Sequence, residues 1–313
     1  MCTSLALPTA DGRHLFGRTL DLDAHFNEQV VLTPRRYPFS VSDCYPQAYH
    51  YALLGMATVV EGYPLYAEAM NEKGLCMAGL RFAGHAAYAP VPREGWLNLA
   101  PWELIPYLLG TCATVAEVRA SLGEICVVDR PFSADMAAAP LHWHVVDTDP
   151  SHGELILEVT KEGMHVYTRD CIRGSGVLTN DPPYPEQMSA LEGTDIPRGD
   201  IPGLPGDYSS SSRFIRAAIL RRWWLERCGG ETGKDRDQGY AVSQFFRILG
   251  AVSPTVGAVI TPEGGIHRTL YTCCMDPAAG VYRYVSEEDT AVRTVAFTGL
   301  NRNGEAVIPL SPE

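Results

Sequence analysis

The sequence contains no long hydrophobic run. Spanning a membrane takes about 18 to 20 consecutive apolar residues, and no stretch of the 313-residue chain reaches that length. Residues 1–8 have neither a basic start nor a continuous apolar segment, so they do not read as a secretory signal. We therefore expect a cytoplasmic protein without a membrane partner.

An excess of basic charge is also missing. The 25 Lys and Arg residues are outnumbered by 37 Asp and Glu residues, which gives a formal net charge of −12. Nucleic-acid binding needs clustered Lys and Arg. The most basic stretch, residues 213–227, is interleaved with tryptophans in a predicted helix, and we interpret it as a solvated helix face. No nucleic-acid partner is expected.

The motifs of metal, nucleotide and disulfide sites are missing as well. The nine cysteines are odd in number and scattered, and the adjacent Cys273 and Cys274 would point to opposite faces of a strand, so the spacing excludes a disulfide framework. His142 and His144 would share one face of a strand, but a zinc site needs a third ligand, which favours packing. The sequence has neither a phosphate-binding glycine loop nor a Gly-x-Ser-x-Gly motif. We expect no metal and no organic cofactor.

What is present is a globular composition, 46% hydrophobic and 20% charged. Turn residues between apolar runs predict hairpins at residues 4–18 and 65–80. Helices are predicted at residues 101–109, 115–122 (capped by Thr114), 211–227 and 241–249. Residues 181–207, rich in Pro and Gly, predict a long ordered or lid-like loop. The alternation of strand blocks with helix blocks, without a linker, predicts one α+β domain over residues 1–313, with mainly antiparallel sheets.

Cysteine at position 2 carries the most chemical information. The initiator Met is usually removed when a small residue follows it, so the mature chain would begin with Cys2. That residue would then hold a thiol and an α-amine together. An α-amine is partly unprotonated near neutral pH and can serve as the base, as in the known pairing of Thr with an N-terminal amine. Cys2 is therefore a candidate nucleophile.

Arg18 and Asp21 are the candidate partners of Cys2. If the first hairpin forms, the end of its second strand returns to Cys2. Arg18 could then donate to the thiolate, the reactive form of the thiol, and Asp21 could hold the α-ammonium. The residues alone leave a surface ion pair between Arg18 and Asp21 open as the alternative.

Several longer motifs carry a family resemblance. They are Cys-Thr-Ser-Leu at 2–5, Leu-Phe-Gly-Arg-Thr-Leu-Asp at 15–21, Pro-Arg-Arg-Tyr-Pro-Phe at 34–39, Asn-Glu-Lys-Gly-Leu at 71–75, Val-Leu-Thr-Asn-Asp-Pro at 177–182, Gly-Leu-Pro-Gly-Asp at 203–207, Ser-Ser-Ser-Ser-Arg-Phe at 209–214, Ser-Gln-Phe-Phe at 243–246 and Tyr-Thr-Cys-Cys at 271–274. In this order, over nearly the whole chain, the sequence resembles the choloylglycine hydrolase family. That family includes the conjugated bile acid hydrolases and the penicillin V acylases.

The resemblance implies an N-terminal-nucleophile hydrolase, folded as a four-layer αββα sandwich of two antiparallel sheets flanked by helices. Cys2 would attack an amide carbonyl, its α-amine would pass the proton to the leaving amine, and water would release the acyl group. By match to the family motifs, Arg18 would hydrogen-bond the Cys2 sulfur and Asp21 would orient the α-amine. Asn180 would donate to the oxyanion, and Arg213 would support the cluster by its charge. The alternatives are a turn residue for Asn180 and a helix-terminal residue for Arg213.

Arg81 departs from the family pattern, in which bile acid hydrolases commonly have Asn and penicillin V acylases often have Tyr. The family uses the backbone N–H of this residue as the second oxyanion donor, so catalysis does not depend on its side chain. Arg81 would bring a cation to the pocket mouth, where a sulfonate or carboxylate could bind, or it would point to solvent. The candidates for an apolar substrate pocket are Leu20, Phe82, Leu141 and Tyr208.

The favoured function is an amidase that removes glycine or taurine from conjugated bile acids, because residues 243–250 and 271–284 look nearer to those enzymes. A penicillin V acylase is the alternative, and a catalytically silent protein that binds acyl amides or bile acids is less favoured. We expect a small-molecule amide substrate and a homo-oligomer. Between the positions of Asn180 and Arg213, bile acid hydrolases usually carry a longer insertion that takes part in tetramer assembly. This chain is shorter there, so the family tetramer is not implied.

Overall fold

A computed structural model describes residues 1–39, 49–169, 174–194, 196, 203–228, 238–261 and 263–310. Its strands are β1 Cys2–Pro8, β2 His14–Leu22, β3 Gln29–Thr33, β4 Leu53–Val60, β5 Tyr63–Asn71, β6 Cys76–Arg81, β7 Leu97–Leu99, β8 Ile125–Val127, β9 Leu141–Val146, β10 Glu154–Thr160, β11 Gly163–Thr168, β12 Val177–Leu178, β13 Val259–Ile260, β14 Ile266–Asp276, β15 Val281–Ser286, β16 Arg293–Ala296 and β17 Ile308–Pro309. Its α-helices are α1 Leu104–Thr111, α2 Val115–Ser121, α3 Tyr184–Glu192, α4 Ser210–Cys228 and α5 Gln238–Gly250. Short 3₁₀ turns at Pro101–Glu103 and Leu122–Glu124 flank the first two helices.

The strands form two large antiparallel sheets. The first sheet has the order β12-β1-β2-β14-β15-β16, with β13 paired to β14. The second has the order β11-β10-β9-β6-β5-β4-β3-β17. Every pairing within these two sheets is antiparallel, and the short strands β7 and β8 form a separate parallel pair.

Helices cover the outer face of each sheet. Helices α4 and α5 pack on β1 and the strands beside it, and α1 packs on β4, β5 and β6. The inner faces meet through buried side chains. Phe16 of the first sheet, for example, meets the ring of His144 of the second edge-to-face at 5.0 Å. The result is the predicted α+β fold, a four-layer αββα sandwich.

Local sequence signals explain several element boundaries. Gly12 has φ +80° in the turn between β1 and β2, a conformation that glycine adopts without steric cost. In the second hairpin, Asn71 Oδ1 accepts hydrogen bonds from the main-chain N–H groups of Lys73 and Leu75, both at 3.0 Å. The Thr114 side chain accepts from the N–H of Glu117 at 3.2 Å and caps α2. Both predicted hairpins and this cap are confirmed.

The interpretation of residues 181–207 as a loop is wrong in its first half. Helix α3 occupies Tyr184–Glu192, with Pro183 at its N-cap. Proline suits the start of a helix because its missing N–H has no helical partner there. Gln187 and Met188 are buried by this helix. Residues 195 and 197–202 lie outside the described part of the chain.

The interpretation of residues 213–227 as a solvated face is also wrong for three arginines. Arg213, Arg216 and Arg221 of α4 are buried. Arg216 Nε donates to Ala251 O at 2.8 Å, and Arg221 Nε donates to Ala6 O at 2.6 Å. Burial lowers the pKa of each guanidinium. Main-chain carbonyls at strand and helix ends supply the acceptors that let these cations lie inside the protein.

The histidine pair of β9 contacts carboxylates between the sheets. His142 lies 3.1 Å from Glu158 Oε1, and His144 lies 3.1 Å from Glu154 Oε1. In the described part of the chain, no three His, Cys, Asp or Glu side chains cluster so as to hold a metal ion. The described cysteines Cys2, Cys76, Cys112, Cys126, Cys273 and Cys274 are free thiols. No helix among the described residues is long and apolar enough to cross a bilayer.

Candidate active site

Cys2 begins β1, where its Cα pairs with Leu20 of β2, and it is buried. Met1 still precedes it and extends the hairpin by one residue. The Met1 α-ammonium donates to the main-chain oxygen of Asp21 at 2.6 Å, and the N–H of Asp21 donates to Met1 O at 3.0 Å. Burial lowers the pKa of this α-amine, although Cys2 and Asp21 counteract the effect. A terminal amine in this environment therefore favours its neutral, basic form.

Asn180 lies just beyond β12, the strand that pairs with β1. Its Oδ1 accepts two hydrogen bonds, from the N–H of Cys2 at 2.9 Å and from Arg213 Nη2 at 2.7 Å. Its Nδ2 donates to Arg81 O at 2.8 Å. Since both neighbours of Oδ1 are donors, the orientation of the amide is determined. Nδ2 carries two hydrogens, and the one that Arg81 does not take can serve another acceptor.

Arg213 connects the start of β1 to Asn180. It lies in the first turn of α4, fully buried. Besides its bond to Asn180, Nη1 donates to Cys2 O at 2.5 Å and to Thr3 Oγ1 at 2.7 Å. Burial lowers the pKa of Arg213, and the charges of Asp21 and Cys2 counteract this. One guanidinium thus determines the positions of the Cys2 main chain and the Asn180 amide.

Arg18 and Asp21 are both buried, which excludes a surface ion pair between them. Arg18 Nη1 donates to Gly79 O at 2.6 Å and its Nε donates to Thr19 O at 3.1 Å. A hydrogen bond from Arg18 to the Cys2 sulfur is not present among the described residues. Burial disfavours the charged form of Arg18, but Cys2 and other nearby acidic groups outweigh burial and raise its pKa, so Arg18 is a permanent cation close to Cys2.

The Asp21 carboxylate accepts hydrogen bonds from two threonines. Thr269 Oγ1 donates to it at 2.7 Å and Thr19 Oγ1 at 3.2 Å. With Met1 in place, the terminal ammonium meets the carbonyl of Asp21 and not its carboxylate. The predicted contact between this carboxylate and the α-amine of Cys2 requires Met1 to leave.

A cavity of about 570 Å³ opens in front of Met1. Its walls include Arg81, Asn180, Tyr208, Arg213 and His267. The cavity wall carries charges of both signs, because Asp23, Asp181 and Glu263 line it together with Arg81 and Arg213. Arg81 is both exposed to solvent and part of the wall.

Only Tyr208 of the four predicted pocket residues lines this cavity. Leu20 belongs to the core between the sheets. Leu141 packs against a separate hydrophobic core, which the second sheet forms with α1. Phe82 is buried and stacks on His142 at a centroid distance of 4.3 Å. Leu22 lines the cavity instead. Leu22 is two residues from Leu20 and therefore lies on the same face of β2. The two-residue periodicity of a strand could have identified Leu22 as a candidate from the sequence.

Two buried residues that the sequence analysis did not assign hold Asn180 in place. Gln187 Nε2 donates to Asn180 O at 2.6 Å and to Pro182 O at 2.7 Å. His142 Nε2 lies 2.8 Å from Thr179 O. The sequence contains no motif that would assign these roles, because both depend on how α3 and β9 meet the end of β12.

The fold and the site together define a class of protein. A buried cysteine at the second position, beside a terminal amine, a carboxamide and two guanidinium groups in an αββα sandwich, is the arrangement of an N-terminal-nucleophile hydrolase.

Comparison with known proteins gives the family. The model of the choloylglycine hydrolase family, described as linear amide C–N hydrolases, matches residues 2–308. The chain is 35% identical over 317 residues to a bile salt hydrolase/transferase of Lactiplantibacillus plantarum, with 95% of this chain and 92% of that protein covered. It is 32% identical over 328 residues to a bile salt hydrolase/transferase of Clostridium perfringens, with 98% and 95% covered. The chain belongs to the choloylglycine hydrolase family and is a hydrolase of linear amide C–N bonds.

Solved structures agree with this assignment. A variant of the conjugated bile acid hydrolase from Clostridium perfringens superposes with a TM-score of 0.88 at 30% identity, covering 99% of this chain and 97% of that one. A penicillin V acylase from Agrobacterium tumefaciens has the same fold, with a TM-score of 0.76 at 20% identity and coverage of 98% and 90%.

Proposed function

We propose that this protein hydrolyses the amide bond of glycine- or taurine-conjugated bile acids through an acyl-enzyme on Cys2. The observation that carries the proposal is the hydrogen-bonded group of the Cys2 main chain, Asn180 and Arg213, in which Asn180 and Arg213 also line an open cavity. The choice of substrate rests on the relatives, which are named bile salt hydrolases and conjugated bile acid hydrolases over nearly the full chain.

Acylation begins once Met1 has been removed. The Cys2 sulfur attacks the amide carbonyl, and its proton passes to the α-amine of the same residue. Asp21 holds that amine, and Arg18 stabilises the anionic sulfur by its charge. The oxyanion accepts a hydrogen bond from Asn180 Nδ2 and one from the main-chain N–H of Arg81. The α-amine then protonates the leaving nitrogen, the C–N bond breaks, and glycine or taurine departs.

Deacylation uses the same groups. Water attacks the thioester carbonyl while the α-amine accepts its proton. The C–S bond then breaks, the α-amine returns the proton to the Cys2 sulfur, and the bile acid leaves as the carboxylic acid. In this proposal, the exposed Arg81 side chain at the cavity wall binds the carboxylate of glycine or the sulfonate of taurine on the leaving group. The thiol, the amine and water complete the reaction, so the proposal includes no cofactor.

Turnover of three substrates tests the proposal. Purified protein is given taurocholate, glycocholate or penicillin V, and the released amine or acid is quantified. We expect hydrolysis of at least one bile acid conjugate, with kcat/KM above that for penicillin V. Turnover of penicillin V alone would refute the bile acid assignment and support the penicillin V acylase alternative.

Processing distinguishes an enzyme from a protein that only binds bile acids. Intact mass should show the loss of one Met, and iodoacetamide should label the N-terminal peptide first. Cys2→Ala should bind substrate and not hydrolyse it. A retained Met1 in the native protein, with no hydrolysis, would support the binding-only alternative.

We further propose that the protein is a cytoplasmic homo-oligomer. Light scattering on the purified native chain tests the assembly, and a monomer at all concentrations would refute it.

A further inference from the structure

A buried cluster of one carboxylate and two tyrosines lies beside Arg18, and none of its members lines the cavity. Glu68 of β5 accepts a hydrogen bond on each carboxylate oxygen, from Tyr282 Oη at 2.6 Å and from Tyr271 Oη at 2.7 Å. Arg18 Nε is 3.8 Å from Glu68 Oε2. All four side chains are buried. Because Glu68 belongs to the second sheet and its partners to the first, the cluster ties the two sheets together behind the nucleophile.

Glu68 has partners that favour its anionic form. Burial prevails and raises the pKa of Glu68, although Arg18, both tyrosine hydroxyls and the neighbouring Cys273 thiol act against it. Both carboxylate oxygens receive an O–H donor, and the cation of Arg18 lies next to one of them. A buried guanidinium needs such a counter-charge, because an unpaired buried cation is strongly destabilising.

The donors of Arg18 have separate functions in this arrangement. Nη1 and Nε donate to the carbonyls of Gly79 and Thr19, which hold one edge of the guanidinium. Nη2 is buried and has no hydrogen-bond partner among the described residues. It is the donor that remains for a group that changes charge during the reaction. Arg18 pairs with Ser4, which lies on the same face of β1 as Cys2.

We propose that Glu68 is a positioning residue for the amide hydrolysis proposed above: with Tyr271 and Tyr282, it holds the Arg18 guanidinium behind Cys2 and offsets part of its charge. In the described part of the chain, the hydrogen bonds and ion pairs of Glu68 do not include Cys2, so its proposed effect on the nucleophile passes through Arg18. Removing its charge leaves the full field of Arg18 on the sulfur, so the thiolate forms at lower pH. A thiolate that forms more readily is a weaker nucleophile, by roughly a factor of three for each pH unit.

The test compares Glu68→Gln with the matched control Glu154→Gln. Glu154 is equally buried between the sheets, but it pairs with His144 and does not contact Arg18. The rate of Cys2 alkylation by iodoacetamide is followed from pH 5 to pH 10 by mass spectrometry of the N-terminal peptide, together with kcat and KM on the best substrate. We expect Glu68→Gln to move the alkylation midpoint down by about half to one pH unit. We also expect kcat to fall by about twofold to threefold, with KM unchanged.

Glu68→Asp, which keeps the charge, should return the midpoint toward that of the native protein, and Glu154→Gln should leave it in place. If Glu68→Gln does not fold, Tyr282→Phe removes one of the two hydroxyl donors and should still lower kcat more than KM. A folded Glu68→Gln with the native alkylation midpoint and native kcat would overturn the proposal, as would an equal shift in Glu154→Gln. Alkylation needs no substrate. The alkylation midpoints therefore test the role of Glu68 even if the protein does not hydrolyse bile acid conjugates.

Discussion

Replacing Asn180 by Ala tests the oxyanion role most directly. The variant removes the Nδ2 donor, the acceptor that holds Arg213, and the contact with the N–H of Cys2. Removal of one oxyanion donor costs about 3 to 4 kcal/mol of transition-state stabilisation. We therefore expect kcat to fall by a factor of about 100 to 1,000. KM should change little, because the developing charge exists only in the transition state.

The assay separates this effect from a general loss of structure. Glycine or taurine release is measured at saturating substrate, and the fraction of folded protein is measured by circular dichroism. Asn98→Ala is the matched control, since Asn98 is also a buried amide and bonds the main chain of Arg93 and Trp96 away from the cavity. A folded Asn180→Ala enzyme that retains more than a fifth of native kcat would refute the assigned role.

Three further predictions concern the scaffold of the site. Arg213→Lys cannot reach all four acceptors of Arg213 with one ammonium. It should therefore lose a charge-assisted hydrogen bond of about 1.5 to 3 kcal/mol and roughly tenfold or more in kcat; native kcat in a steady-state assay would contradict this. Gly17→Ala would place a Cβ 2.0 Å from Cys273 O. The free energy of unfolding, measured in urea, should therefore fall by more than about 2 kcal/mol. An unchanged urea midpoint would show that β2 and β14 separate easily. Burial lowers the pKa of His14 to about 4, so the unfolded chain takes up a proton before the folded one does. Stability should therefore fall by up to about 3 kcal/mol as pH drops from about 6.5 to 4, and His14→Gln should lose that part of the pH dependence in urea titrations at pH 7 and 4.5.

The sequence was most informative where structure depends on neighbouring residues. The turns of both early hairpins and the Thr114 cap follow from residues within a few positions of each other. The same kind of local pattern gave a wrong prediction at α3, where a loop was expected and the structure has a helix. Three prolines lie at or just before its start, so the composition indicated a loop. The burial of Tyr184, Gln187 and Met188 stabilises a helix there instead.

The arginines of α4 show a second limit. A run of cations in a helix usually indicates a solvated face, yet Arg213, Arg216 and Arg221 are buried. Whether an arginine is exposed depends on which carbonyls surround it. Those of Cys2, Ala251 and Ala6 come from distant parts of the chain.

The amino-acid order by itself determined the candidate nucleophile and its likeness to a family, because the chemistry of Cys2 depends on its place at the chain terminus and the motifs are contiguous. Tertiary structure decided which groups surround that sulfur. Asn180 and Arg213 are far from Cys2 in sequence, and the pairing of β12 with β1 and the packing of α4 on that sheet bring them to it. Glu68 reaches Arg18 only because the second sheet packs against the first. The same packing removes water from Arg18 and Glu68, and their charges can therefore act on each other at short range.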